Sequence, residues 1–140
     1  MGMRVLIVDD DDLYWELVRQ AFARSEFLSE IELDRCDSGI EFIKRLTSDD
    51  VQPSLVLLDQ RMPELDGTTV LSRMRENSLA PWMSVCLMTS SEEPELVEEA
   101  LSRGARFCFS KPSSFSDLRI KLATIIAFFR ELVMLPQAAL

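Results

Sequence analysis

The sequence predicts an α/β domain: one parallel five-stranded sheet in the order 2-1-3-4-5, with helices on both faces. Three observations predict it. Short apolar runs alternate five times with helix-period segments, and strands separated by helices form parallel sheets through crossover connections. Three of the runs are apolar throughout, as strands buried on both faces must be, while two mix in charged residues, as sheet edges do. The alternation is unbroken by any repeat, low-complexity stretch or linker, so the 140 residues read as one domain, 1–140, with a core over about 3–135.

The elements follow in order. MRVLIV (3–8) is the first strand. Tyr14, Leu17, Val18 and Ala21 form the stripe of a first helix, with Asp12 as its N-cap. EIELDRC (30–36) alternates Ile31 and Leu33 with Glu32 and Asp34, so it is an edge strand. Ser38 caps a second helix carrying Ile40, Phe42, Ile43 and Leu46. SLVLL (54–58) is a central strand, and Asp66 caps a third helix with Val70, Leu71 and Met74. MSVCLM (83–88) is the next central strand. Ser91 caps a fourth helix bearing Leu96, Val97, Ala100 and Leu101, closed by Gly104. RFCFS (106–110) mixes Phe107 and Phe109 with Arg106 and Ser110 and makes the other edge. A last helix runs from about 116 to about 135, where Pro136 stops it.

Composition narrows the function. A net charge of −9 argues against a general nucleic-acid binder, because phosphate backbones demand Lys and Arg. With no histidine in the chain, Ser-His-Asp triads, Cys-His dyads and His-ligated zinc are excluded. The three cysteines, Cys36, Cys86 and Cys108, fall singly in strand runs and read as buried free thiols in a reducing cytoplasm. The residues after Met1 pass straight into a strand, so no signal peptide is expected. The most apolar helical segment, 118–135, is interrupted by Arg119, Lys121, Arg130 and Glu131, against a membrane span.

Ligands of such sheets bind outside the carboxyl ends of the strands, where the strand order reverses. There the first strand ends in Asp9, Asp10, Asp11 and Asp12, the third in Asp59, the fourth in Thr89 and Ser90, the fifth in Ser110 and Lys111. The first and third strands are neighbours, so Asp59 is expected to face Asp9 and Asp10. Taken singly, an Asp run is an ordinary turn and a lone Thr or Lys means little. Jointly they carry one chemistry. Three converging carboxylates need a cation, and hard oxygen ligands in an incomplete shell suit Mg²⁺. An ion, an amine and a hydroxyl around one carboxylate can support phosphoryl transfer, with the carboxylate as nucleophile.

The motifs VDDDD, LLDQRMPELDG, MTS and SKP, in this order and spacing, make the chain resemble the receiver domain of two-component response regulators over about 3–135. The resemblance implies the flavodoxin-like (βα)₅ fold. It implies that Asp59 is the phosphoacceptor, Asp10 a direct Mg²⁺ ligand, and Asp9 a ligand directly or through water. Arg61 would offer its backbone carbonyl to the metal. Thr89 would hydrogen-bond the phosphoryl group, Lys111 would pair with one of its oxygens, and the Lys111–Pro112 bond would be cis. Met62, Pro63 and Gly67 would shape the turn, and Arg61 and Ser91 match positions that tune phosphate lifetime.

Two residues depart from the pattern. Cys108 stands where the family has a switch aromatic, leaving Phe107 or Phe109 as substitutes, and Ser90 follows the threonine where a small apolar residue is commoner. The resemblance further implies a partner sensor histidine kinase or phosphotransfer protein, a downstream protein target and a cytoplasmic location. No output domain is expected after the last helix. The stretch 88–112 with Phe115 is most similar to single-domain receivers associated with phytochrome-type histidine kinases. In the last helix, Leu118, Leu122, Ile125, Ile126, Phe129 and Leu132 make one stripe, while Ile120, Phe128 and Met134 remain on other faces. That excess apolar surface suggests a homodimer or partner contact around Phe128. Two alternatives stand beside this reading. One is an unphosphorylated pseudo-receiver that only binds. The other is a small haloacid-dehalogenase-type phosphohydrolase using Asp9 or Asp10 as nucleophile, which would leave Asp59 and its turn without a role.

Overall fold

The computed structural model describes residues 3–48, 53–91 and 93–139, with side chains as far as Glu131. Five strands, β1 (Arg4–Val8), β2 (Glu32–Cys36), β3 (Leu55–Asp59), β4 (Ser84–Thr89) and β5 (Cys108–Ser110), pair in parallel in the order β2-β1-β3-β4-β5. Five helices, α1 (Asp12–Ala23), α2 (Gly39–Ser48), α3 (Gly67–Glu76), α4 (Pro94–Ser102) and α5 (Phe115–Ala139), connect and follow them. The predicted fold class and strand order hold. The segment ahead of β2 differs: Leu28–Glu30 forms a 3₁₀ turn, and pairing begins at Glu32.

The sheet divides the apolar residues by strict alternation, since successive side chains on a strand point to opposite faces. Val5, Ile7, Leu55, Leu57, Cys86 and Met88 face α1 and α5, where they meet Val18, Phe22, Leu118, Leu122 and Ile126. Leu6, Val8, Val56, Leu58, Val85 and Leu87 face α2, α3 and α4, against Phe42, Leu46, Val70, Leu71 and Ala100. Each central strand is therefore buried on both sides, which is why its run shows no polar alternation.

The helix ends show which residues do the capping. Asp11 rather than Asp12 caps α1: its carboxylate accepts the N–H groups of Leu13 and Tyr14 at 3.0 and 3.1 Å. Ser38 Oγ accepts the Glu41 N–H at 3.0 Å, and the Asp66 carboxylate accepts that of Thr69 at 2.9 Å. Ser91 does not cap α4. The helix starts at Pro94 with Glu93 in the cap position, and Ser91 Oγ accepts the Glu93 N–H at 3.3 Å instead. A proline at the first helical position has its φ already set and no N–H to satisfy. Gly104 (φ 110°) ends α4 in a Schellman arrangement: its N–H reaches Leu101 O and that of Ala105 reaches Ala100 O. Pro136 does not stop α5, which continues to Ala139; a proline removes one i→i−4 bond but leaves the residues around it free to stay helical. Leu132 and Met134 lie outside the residues whose side chains are described.

Candidate functional site

β1 and β3 are neighbours in register, Val8 opposite Leu58, so the residues just past them meet at the carboxyl edge of the sheet. Asp9 follows β1 and is fully buried; Asp59 ends β3 at 4% exposure. Asp10 is exposed at the rim. Each of the three offers a carboxylate oxygen, and these atoms all lie within 4.8 Å of one another. The predicted convergence of Asp59 on Asp9 and Asp10 is therefore met.

The cation at the centre is Lys111, delivered by the end of β5. Its ammonium donates to Asp9 Oδ2 at 2.8 Å and lies 3.0 Å from Asp59 Oδ1. The other oxygen of Asp9 accepts the Asp11 N–H at 2.9 Å, so the capping turn of α1 also steadies the buried carboxylate. Three carboxylates against one ammonium leave a formal charge of −2 at one point. A low-dielectric setting makes that excess costly. Burial, then the Asp9 charge, push Asp59 up from 3.8 to about 6, against the opposing pull of Lys111. Burial alone would draw the lysine down, but the bond to Asp9 and the charge of Asp59 outweigh it, and its pKa is raised. The hard-oxygen donor set and the uncompensated −2 both fit a divalent cation such as Mg²⁺.

The flanking residues are equally placed by the sheet. Met88 pairs with Asp59, which puts Thr89 one residue further along at 3% exposure. Its Oγ1 accepts the Ser91 N–H at 3.0 Å, so the hydroxyl proton is available to another acceptor. Arg61 stands two residues beyond Asp59 in the turn, with its side chain exposed. That turn is drawn tight at Gly67: a Cβ there would come 2.5 Å from Leu87 Cδ1 and 2.8 Å from Asp59 O. Only glycine allows that approach. Gln60 fastens the same turn, its side-chain oxygen accepting the Thr68 N–H at 3.0 Å.

Two expectations are corrected here. There is no cis peptide bond among the described residues, so Lys111–Pro112 is trans, the form of lower energy. The lysine reaches both carboxylates from that backbone. Nor can Phe107 or Phe109 stand in for a switch aromatic at Cys108. They flank it in the chain and pack against the α1 and α5 layer, whereas Cys108 packs on the opposite face with α4. Cys36 and Cys86 are buried free thiols held up to about 12 chiefly by burial, while Cys108 is half-buried rather than buried.

Two residues were not singled out from sequence. Arg35 on β2 donates to the Asp9 carbonyl at 3.0 and 3.1 Å and pairs with Asp12 at 2.8 Å, tying the acidic loop to the sheet edge. Tyr14 presents its ring to the lysine, with Nζ 4.2 Å from the ring centroid. Burial, then Asp9 and Asp59, push its hydroxyl above the ordinary value, so it remains a neutral phenol. The only hint in the sequence is an aromatic four residues after Asp10, at a position that helical periodicity assigns to the core.

A doubly wound parallel sheet with an acidic cluster, two of its three carboxylates buried, and a lysine at its switch point fits a phosphoryl-accepting signalling domain. The chain belongs to the response regulator receiver domain family, which matches residues 5–123. It is 35% identical over 117 residues to the Regulatory protein AtoC of Escherichia coli (strain K12), a match that covers 84% of this chain but 24% of that protein. It is 29% identical over 122 residues to the Sporulation initiation phosphotransferase F of Bacillus subtilis (strain 168), covering 85% of this chain and 90% of the relative. The fold is shared with the phosphorylated cyanobacterial phytochrome response regulator RcpA, at a TM-score of 0.80 and 21% identity, over 92% of this chain and 94% of the other. No helix among the described residues is long and apolar enough to cross a membrane.

Proposed function

We propose that residues 1–140 act as one receiver unit that accepts a phosphoryl group on Asp59 and signals through a phosphorylation-dependent protein contact. The observation that carries this reading is the Lys111 ammonium between Asp9 and Asp59, at 2.8 and 3.0 Å, beside the exposed Asp10. A carboxylate oxygen of Asp59 attacks phosphorus, the bond from phosphorus to the donor's nitrogen or oxygen breaks, and an acyl phosphate forms. Lys111 then moves its contact from the Asp59 oxygen to a phosphoryl oxygen, and Thr89 donates its free hydroxyl proton to another. Bound Mg²⁺, held by Asp9, Asp10, Asp59 and the Arg61 carbonyl, would supply positive charge to the transferring group. The donor is a sensor histidine kinase or a phosphotransfer protein, and the site would sit in the cytoplasm. The dehalogenase-type alternative is disfavoured by family membership, and it would leave Asp59 and its turn without a role.

The output contact is read from α5. Ile120 and Phe128 are 63% and 56% exposed, and Phe128 meets Phe107, just ahead of β5, edge-to-face at 6.3 Å. This exposed apolar surface supports a homodimer or partner contact through the Phe128 region. A Phe128→Glu protein that sediments with the same mass as the parent would remove that part of the proposal.

The main test is intact mass after acetyl phosphate with and without Mg²⁺, beside Asp59→Asn. One added phosphoryl group that requires the metal and vanishes in the variant is expected. No added mass under fast quenching would favour a binding module that is never phosphorylated.

A further inference from the structure

We propose that Tyr14 is a positioning residue for Lys111: its ring face holds the ammonium in place while the carboxylate partner at Asp59 is exchanged for a phosphoryl group. The inference rests on the receiver reading of the site and deepens it. The ammonium has three donors. Asp9 and Asp59 lie 2.8 and 3.0 Å from it, and the centroid of the Tyr14 ring lies 4.2 Å from the same nitrogen. The negative face of an aromatic ring attracts a desolvated cation.

The ring is fixed at both ends. Its backbone N–H is held by the Asp11 cap at 3.1 Å, and its hydroxyl donates to Met88 Sδ at 3.8 Å. It is 8% exposed, so there is no room for it to swing out. Of the ammonium's three neighbours, only Asp59 changes during the reaction, because the attacking oxygen commits a lone pair to phosphorus. Asp9 and Tyr14 remain. A ring with no net charge holds the cation without competing for it as a third carboxylate would, so the lysine can turn to the phosphoryl oxygen while staying at the reacting centre. An aliphatic side chain would offer no such face.

The test separates electronic from steric roles. Tyr14→Phe serves as the reference, followed by its mono-, di- and trifluorinated analogues, whose shape barely changes while the ring face loses its negative potential stepwise. The rate of Asp59 phosphorylation from acetyl phosphate should fall monotonically along the series, and Tyr14→Leu should be about 2- to 30-fold slower than the reference. In NMR spectra the ε-methylene protons of Lys111 should be shifted upfield by the ring and return in Tyr14→Leu. A wild type that is phosphorylated on Asp59 but a flat fluorine series would overturn the inference alone. A wild type that takes no phosphate would overturn the receiver reading and this inference with it.

Discussion

Asp59→Asn should make the metal-free protein more stable at neutral pH, although it removes one of the two carboxylates paired with Lys111. The magnitude follows from the site. Asp59 is 4% exposed, and its carboxyl is held at about 6 instead of 3.8, chiefly by burial and then by the Asp9 charge. A carboxyl whose folded value is raised keeps its proton longer in the folded state. The folded form therefore gains relative stability at low pH and loses it as pH climbs from 3.8 through about 6. The full penalty at pH 7.5 is about 3 kcal/mol, and about 1 kcal/mol remains at pH 4.5, on linkage between those two values. Asparagine is close in shape to the neutral acid and never ionises. Urea unfolding in EDTA should thus show the variant ahead by about 3 kcal/mol at pH 7.5 and by about 1 at pH 4.5. An unchanged or reduced stability at pH 7.5, or a difference that ignores pH, would refute the argument that Asp59 is held charged against its surroundings.

Lys111→Met should destabilise the fold by about 3–5 kcal/mol in the same assay, because fully buried Asp9 loses its cation, and adding Asp59→Asn should recover part of that loss. Gly67→Ala should cost about 1–3 kcal/mol and slow phosphorylation, since a methyl 2.8 Å from Asp59 O must push the acceptor's own backbone aside; mass spectrometry against acetyl phosphate reads the second effect. Leu122→Ala, in the fully buried layer between α5 and the sheet, should lose about 2–5 kcal/mol by urea melt and leave the phosphorylation rate of the folded fraction unchanged.

Sheet order was legible because composition separates central strands from edges: residues 54–58 and 83–88 are nearly all apolar, while 30–36 alternates. The acidic cluster was legible for a related reason, since parallel strands bring all their carboxyl ends to one edge. What escaped depends on details that composition does not encode. Four consecutive aspartates have equal capping propensity, and it is Asp11 whose extended backbone (φ −83°, ψ 104°) lets its carboxylate reach the first turn. Ser91 has the right chemistry to cap α4, but Pro94 sets the start two residues beyond the expected place. The facing of Phe107 and Phe109 was readable from period-two alternation once β5 was in register, yet chemical similarity to a missing aromatic suggested the wrong face. Tyr14 looked like core, and it is core; nothing in a helical stripe says which core residue will touch a lysine nearly a hundred positions later.

That separation has a consequence for how the protein becomes competent. The bond between Lys111 and Asp9 joins positions 102 residues apart. During synthesis the acidic loop leaves the ribosome early, while the lysine arrives only with the last strand. Until then the aspartates lack their ammonium, and a nascent chain that meets a phosphodonor has no assembled centre to offer. Late closure of so distant a contact is slow compared with local helix formation. Acquisition of phosphate by Asp59 would therefore report that the chain has been made and folded at least through β5.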